Sequence, residues 1–430
     1  MAVLLLGATL LANAQSGTNS PYSQYGLGVL SEQTSGFNRG MNGVGLGFHE
    51  HNQINYLNPA SYAAIDSMTF ILDAGISGQV TNFKENDVTK KTGVKKKNAN
   101  NSNFEYVVAG FRLLPHVGMS FGIIPFTNVG YNYYQSKPKD MPSDMDFDYT
   151  NTYSGDGGLH QAYIGAGWEP VKGLSVGANF SYLWGSIDRS VSNSYSNSYY
   201  KTLTRYYSMQ VNSYKVDFGV QYTRQLSKKD WATVGVTFSP GHGLGASADM
   251  KIISNDTQNG VTDTTAYSIG KAYKLPTMIG AGVMWNHNNQ WKVGFDYSLQ
   301  KWGSLGYPSF DGTNYALKNG IYKDRSKFNL GAQYCYGERS RAFFKRVQYR
   351  VGASYATPYY KMNGVDGPKE ISVSAGFGIP IMNSYNNRSM LNISGQWVKS
   401  SAKDLIKENS FRINIGFTFN EDWFKKWKMD

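Results

Sequence analysis

One cysteine, Cys335, stands in 430 residues, so no disulfide can form within the chain. After residue 14 no run approaches the roughly 18–20 consecutive apolar residues that a spanning helix needs. A mean hydropathy of −0.43 is likewise too polar for a helical membrane protein. A β-barrel escapes both tests, because its strands alternate apolar and polar residues and average out as hydrophilic.

Sites for chemistry are scarce too. His49-Glu50-His51 has two ligands in chelating range, but no third set follows at zinc-like spacing, and a polar turn is the expected reading. Asp144, Asp146 and Asp148 alternate as in a calcium loop but lack the central Gly and closing Glu, which leaves them weak metal candidates. Gly43, Gly45 and Gly47 mimic a phosphate loop, yet no strand precedes them and no helix pattern follows. No Ser/His/acid set is evident from spacing. The chain is therefore expected to be no enzyme and to need no cofactor. Cys335 shares a strand face with Gln333 and Asn329 and is read as inert.

What the chain has is glycine and aromatics: 47 Gly, 32 Tyr, 22 Phe and 9 Trp. These suit strands, tight turns and aromatic girdles. Near the C-terminus Phe411, Ile413, Ile415, Phe417 and Phe419 fall on one face and Arg412, Asn414, Gly416 and Thr418 on the other. Val216, Phe218, Val220 and Tyr222 oppose Asp217, Gly219, Gln221 and Thr223 in the same way. A period of two with that contrast puts one face in lipid and one toward a polar interior. Fourteen such strands are expected, starting near Met68, Phe104, Val117, Gly157, Leu174, Tyr206, Trp231, Pro276, Trp291, Ser326, Val347, Ile371, Met390 and Ser410. The fold class is all-β, a transmembrane antiparallel barrel.

The connections fall into two classes. Those at 114–116, 169–173, 225–230 and 286–290 are short, whereas those at 81–103, 135–156, 188–205 and 251–275 are long. Short periplasmic turns and long outside loops are the rule in such barrels, so both termini are expected in the periplasm of a Gram-negative cell.

Four segments result. Residues 1–14 read as a signal peptide, an apolar run ending in Ala12-Asn13-Ala14, although no Lys or Arg precedes it. No Cys follows it, which is read as excluding a lipid anchor. Residues 15–65 show no strand pattern but carry Tyr22, Leu27, Phe37 and Ile54, apolar mass that a barrel interior can take up as a hatch or plug. Residues 66–419 form the barrel. Residues 420–430 make an aromatic, basic tail with Trp423, Phe424 and Trp427, suited to the periplasmic membrane interface.

The formal charge of +12 is concentrated in places. Lys84, Lys90, Lys91, Lys95, Lys96 and Lys97 crowd one expected loop. In an exported barrel such a run fits phosphates of outer-membrane lipids and lipopolysaccharide better than nucleic acid, which is not expected as a partner. A merely solvated loop fits equally well.

The run SGFNRGMNGVGLGFHEHNQINYLNPASYAAIDSMTFILDAG, residues 35–75, resembles the N-terminal hatch of the FadL/TodX family of outer-membrane channels for hydrophobic compounds. In that family a Gly-rich stretch leads through Asn-Pro-Ala, here Asn58, Pro59 and Ala60, into the first strand. The motif is read as structural, a turn that anchors the plug. The opening NSPYSQYGLG, residues 19–28, resembles a leader on FadL-like proteins of the Bacteroidota. The resemblance implies a passive channel for hydrophobic small molecules such as fatty acids, with a mobile plug and a sideways exit through the wall. Pro115, Pro125 and Pro276 are candidate wall irregularities. The alternative it implies is a non-transporting subunit of an outer-membrane assembly or secretion complex, such as the barrel-assembly machinery, with protein partners.

Overall fold

The computed structural model describes residues 17–87, 93–136, 148–197, 199–338, 340–362, 364–381, 389–403 and 405–422. The wall consists of β1 (Thr69–Asp87), β2 (Gly93–Leu114), β3 (Val117–Ser136), β4 (Tyr149–Val171), β5 (Leu174–Tyr195), β6 (Thr202–Gln225), β7 (Asp230–Ser239), β8 (Met278–His287), β9 (Trp291–Gln300), β10 (Arg325–Tyr334), β11 (Gln348–Ala356), β12 (Lys369–Pro380), β13 (Met390–Ser401) and β14 (Lys407–Asp422). Each pairs antiparallel with the next, and β14 closes on β1 from Thr69↔Asp422 to Lys84↔Lys407. The sheet has 17 strands, these fourteen plus Val29–Leu30, Ala248–Asp256 and Val261–Ile269. Closure of β14 on β1 removes the free edges that the first and last strands of an open sheet would present to lipid. All fourteen strands expected from the alternation are present.

Strand length divides the wall. β7 to β10 have ten residues each, about 33 Å at ~3.3 Å per residue, enough to cross a bilayer. β2, β4 and β6 have 22, 23 and 24 residues and project far beyond it. The stretches 81–103 and 188–205, expected as loops, are therefore largely continued strands, and of 135–156 the residues 135–136 and 149–156 are strand. Lys95, Lys96 and Lys97 lie in β2 and Lys84 in β1, not in a loop. Lys90 and Lys91 lie outside the described residues, as do residues 1–14 and 423–430. The stretch 251–275 holds the hairpin of Ala248–Asp256 and Val261–Ile269, which extends β6 at Thr202–Ser208. The last strand runs three residues past its expected end at Phe419 to Asp422.

The reason for the missed lengths is an inversion of polarity. In β6, Tyr222, Val220, Phe218 and Tyr214 are exposed on the outer face while Gln221 and Lys215 are buried inside. Further along the same strand the outer face carries Asn212, Gln210 and Ser208, and the inner face buries Val211 and Met209. β5 does the same: exposed Phe180 and Tyr182 give way to Ser186 and Asp188, while buried Ser181 gives way to Leu183 and Ile187. Once the wall leaves lipid its outside must suit water, and its inside becomes an ordinary apolar core. That core joins Leu27, Leu159, Leu183, Ile187, Val211, Trp302, Tyr322, Tyr359 and Tyr360 over the long-strand mouth.

Candidate functional site: the filled lumen and a seam in the wall

Residues 17–65 run through the barrel interior. Phe37, Met41, Val44 and Ile54 have no exposed surface, and Leu27 and Phe48 only 1%. The segment contains a two-residue strand, Val29–Leu30, a helical turn at Gly36–Arg39 and a 3-10 helix at Pro59–Ala64.

The bed on which it rests is glycine. Gly118, Gly167, Gly177 and Gly219 stand opposite one another across β3, β4, β5 and β6. A methyl group at Gly118 would sit 1.8 Å from the Tyr62 carbonyl oxygen, at Gly167 2.6 Å from that of Pro59, and at Gly177 2.5 Å from the Pro59 carbonyl carbon. Gly331 and Gly352, opposed across β10 and β11, accept the Met41 backbone in the same manner. Glycine on inward positions lets one backbone lie directly on another. The inner face is thus not simply polar. Inward glycines in successive strands were the available signal, hidden among the polar positions of the alternation.

Asn58 caps the 3-10 helix: its Oδ1 accepts from Ala60 N at 3.2 Å, and its Nδ2 donates to the carbonyls of Leu46 at 2.9 Å and Val220 at 3.3 Å. Pro59 occupies the first helical position, where a missing N–H costs nothing, and Ala60 is fully buried. The motif thereby joins two parts of the segment to β6.

Polar bonds hold the rest. Arg39 pairs with Glu105 of β2 at 2.8 Å and donates to Asn414 Oδ1 of β14 at 3.0 Å. Asp296 of β9 accepts from the backbone N–H groups of Gly45 and Leu46 at 2.6 and 2.9 Å. Gln396 of β13 donates to both Asn42 Oδ1 and Glu32 Oε1 at 2.9 Å. Burial opposes ionisation of Glu32, yet Lys327, Arg412 and Arg39, with the Gln396 bond, hold its carboxyl down at about 2. A cavity of about 330 Å³ remains, bordered by Glu32, Asp296, Lys327, Glu370 and Arg412 among others.

The three residues of His49-Glu50-His51 go to separate partners: Gln221, Lys292 and Asp66. The hydrogen bond to Asp66 raises the His51 pKa. Asp144 and Asp146 lie outside the described residues. Asp148 is exposed, and its N–H donates to Ser196 Oγ at 2.9 Å. Cys335 is buried one residue beyond β10, with its thiol near the carbonyls of Lys345 and Arg346.

Of the three prolines, Pro115 lies in the β2–β3 turn and Pro276 in the connection before β8. Pro125 alone sits in the wall, at a register shift between Pro125 and Thr127. Near it the wall parts. The β2–β3 ladder runs from Leu114↔Val117 only to Val107↔Ile123, although both strands continue beyond. Beyond that point β2 stays paired with β1, and β3 with β4. Residues 17–33 occupy the parting. On the β3 side Val29 and Leu30 pair with Asn128 and Thr127, Ser31 N donates to Phe126 O at 3.0 Å, and Gln33 Nε2 to Pro125 O at 2.6 Å. On the β2 side Asn103 donates to Gly17 O at 2.8 Å and Asn19 to Asn100 O at 3.0 Å. Gly28, at φ +96, makes this approach possible, since a methyl there would meet Asn128 O at 2.6 Å.

Solved structures share this architecture. The chain is similar to a Pseudomonas aeruginosa FadL homologue at 11% identity, TM-score 0.62, over 92% of this chain and 99% of that one. The Ralstonia pickettii toluene transporter TbuX gives 13%, 0.60, 90% and 98%. The CymD monoaromatic hydrocarbon channel gives 15%, 0.57, 92% and 98%. At these identities the likeness is one of fold, and it is the fold of Gram-negative outer-membrane barrels. No curated protein matches by sequence. The BamG family profile matches residues 1–430, the whole sequence, and the chain belongs to the BamG family.

Proposed function

We propose that this chain is a closed FadL-type barrel acting as a non-transporting subunit of an outer-membrane protein assembly, the barrel-assembly machinery or a secretion complex. The observation that carries this reading is the occupied interior. Residues 17–65 act as a plug bonded to β2, β6, β9, β13 and β14. The parting where a greasy solute would leave sideways is filled by the chain's own N-terminal strand. The remaining cavity is bordered by charged groups such as Glu32, Lys327 and Arg412 as well as by apolar side chains such as Leu46, Tyr56 and Met278, a mixed lining with buried charge that an apolar ligand would have to meet. Short turns gather at the end where both β1 begins and β14 ends. This supports periplasmic termini, with Lys84, Lys96 and Lys97 on the outside near lipid phosphates.

A second reading, passive movement of hydrophobic small molecules such as fatty acids, is favoured by the fold shared with hydrocarbon channels. It requires the plug and the seam strand to leave their bonds during each passage.

Purification of the tagged protein from its native membrane in mild detergent, with mass spectrometry of proteins and small molecules, separates the two. A fixed set of protein partners with an empty lumen is expected. A solitary barrel carrying lipid-like ligands would sink the subunit reading and establish the channel.

A further inference from the structure

At the short-turn end, the connections β2–β3, β4–β5, β6–β7 and β8–β9 are bare turns, but the described residues 335–338 and 340–347 between β10 and β11 form a platform with a helical turn at Phe343–Arg346. Phe344 is 76% exposed, Tyr336 52% and Phe343 44%. These rings sit among cations. Lys345 Nζ lies 4.8 Å from the Tyr336 ring centre, and the Arg346 guanidinium 5.4 Å from that of Phe343. Arg346 Nη1 donates to the Arg341 carbonyl at 3.1 Å, which brings the Arg346 guanidinium to the Arg341 backbone. Among the described residues no carboxylate lies within ion-pairing distance of Arg341, Lys345 or Arg346. The nearby Glu338 accepts from Gln348 instead.

The platform is continuous with the lipid-facing wall. Tyr349, on the outer face of β11, donates its hydroxyl to Phe344 O at 3.1 Å. Its ring meets Phe377 of β12 edge-on at 5.8 Å, and Phe377 is 49% exposed in the apolar band. Aromatic contacts thus lead from the lipid-facing band through Phe377 and Tyr349 to the backbone of Phe344, and the cations of the platform stand where they end.

We propose that this platform is a binding site for an anionic phospholipid. The headgroup phosphate is held by Arg341, Lys345 and Arg346, and an acyl chain lies along Phe344, Tyr349 and Phe377. Aromatic rings at headgroup level and cations beside anionic lipid are the chemistry that selects such an occupant over a neutral lipid. The site stands whether the barrel is a subunit or a channel.

The test uses the full chain, purified in detergent and titrated with phosphatidylglycerol or with phosphatidylcholine of the same chains, and read by native mass spectrometry. Phosphatidylglycerol is expected to be retained preferentially. The triple variant Arg341→Gln, Lys345→Gln, Arg346→Gln loses that preference, roughly a hundredfold for three charges. Phe343→Ser with Phe344→Ser weakens both lipids alike. The heat-modified shift of the barrel on gels shows that each variant is folded. Equal retention of the two lipids by the wild type overturns the proposal, as does undiminished preference in the triple variant. So does a result in which the loop is shielded by a protein partner and holds no lipid.

Discussion

Arg39 Nη2 lies 2.8 Å from Glu105 Oε2 deep in the barrel, with 1% and 8% of the two side chains exposed. One partner belongs to the N-terminal segment. The other stands on β2 beside the irregularity between Gly75 and Ile76. A buried pair of this kind fixes position more than it adds stability, and removal of one partner is what hurts.

Arg39→Met strands the Glu105 carboxylate and is expected to weaken docking of the segment by ~3–5 kcal/mol. Limited proteolysis reads this as cleavage within residues 17–65 while the barrel stays intact. Adding Glu105→Gln restores part of the protection. Equal protection in wild type and Arg39→Met would show that the pair does not hold the segment.

The glycine bed gives a second expectation. Gly177→Val places a side chain where the Pro59 backbone lies, with its Cβ within 2.6 Å of Pro59 and Ala60 backbone atoms. Overpacking by ~1–3 kcal/mol is expected to lift the Pro59–Ala64 helix. In planar bilayers the variant should conduct ions where the parent stays closed. A silent variant that is folded in the membrane would refute this.

At the seam, Val29 and Asn128 are registered partners. Cysteines at both positions, with Cys335→Ser, are expected to crosslink on oxidation. In the subunit reading the locked protein complements a deletion as well as the reduced one. Loss of complementation on locking would mean that the seam must open.

Acid acts through Glu32. Its folded pKa of about 2 lies below the ordinary 4.5, so its contribution is complete above pH ~4.5 and is lost as pH falls toward 2. Segment protection against an acid protease should fall across that window, and Glu32→Gln should flatten the profile. An unchanged profile in the variant would exclude Glu32 as the source.

The wall was legible where lipid enforces contrast. Phe411 to Phe419 alternate with Arg412 to Thr418 because one face meets lipid and the other does not. Legibility ended where that contrast inverts, as from Tyr214 to Asn212 in β6, so Lys95, Lys96 and Lys97 read as loop although they are paired strand. The glycine bed was visible as composition but not as a surface, since opposing Gly167 to Gly177 requires the register. The β2–β3 parting left no local mark beyond Pro125, because a ladder ends when its partner changes, and partnership is not a property of one strand.

The bonds of the N-terminal segment also bear on the order of events during folding. Arg39 reaches Asn414 and Ser20 reaches Glu408, partners 375 and 388 positions further along the chain. Meeting so late a partner makes these contacts the slowest kind to form. These two contacts cannot form before the final strand exists, whereas the bonds to β2, β6 and β9 do not wait for it. Sealing the cylinder then completes the seating of its contents, and a chain truncated before β14 lacks the last partners of residues 17–65.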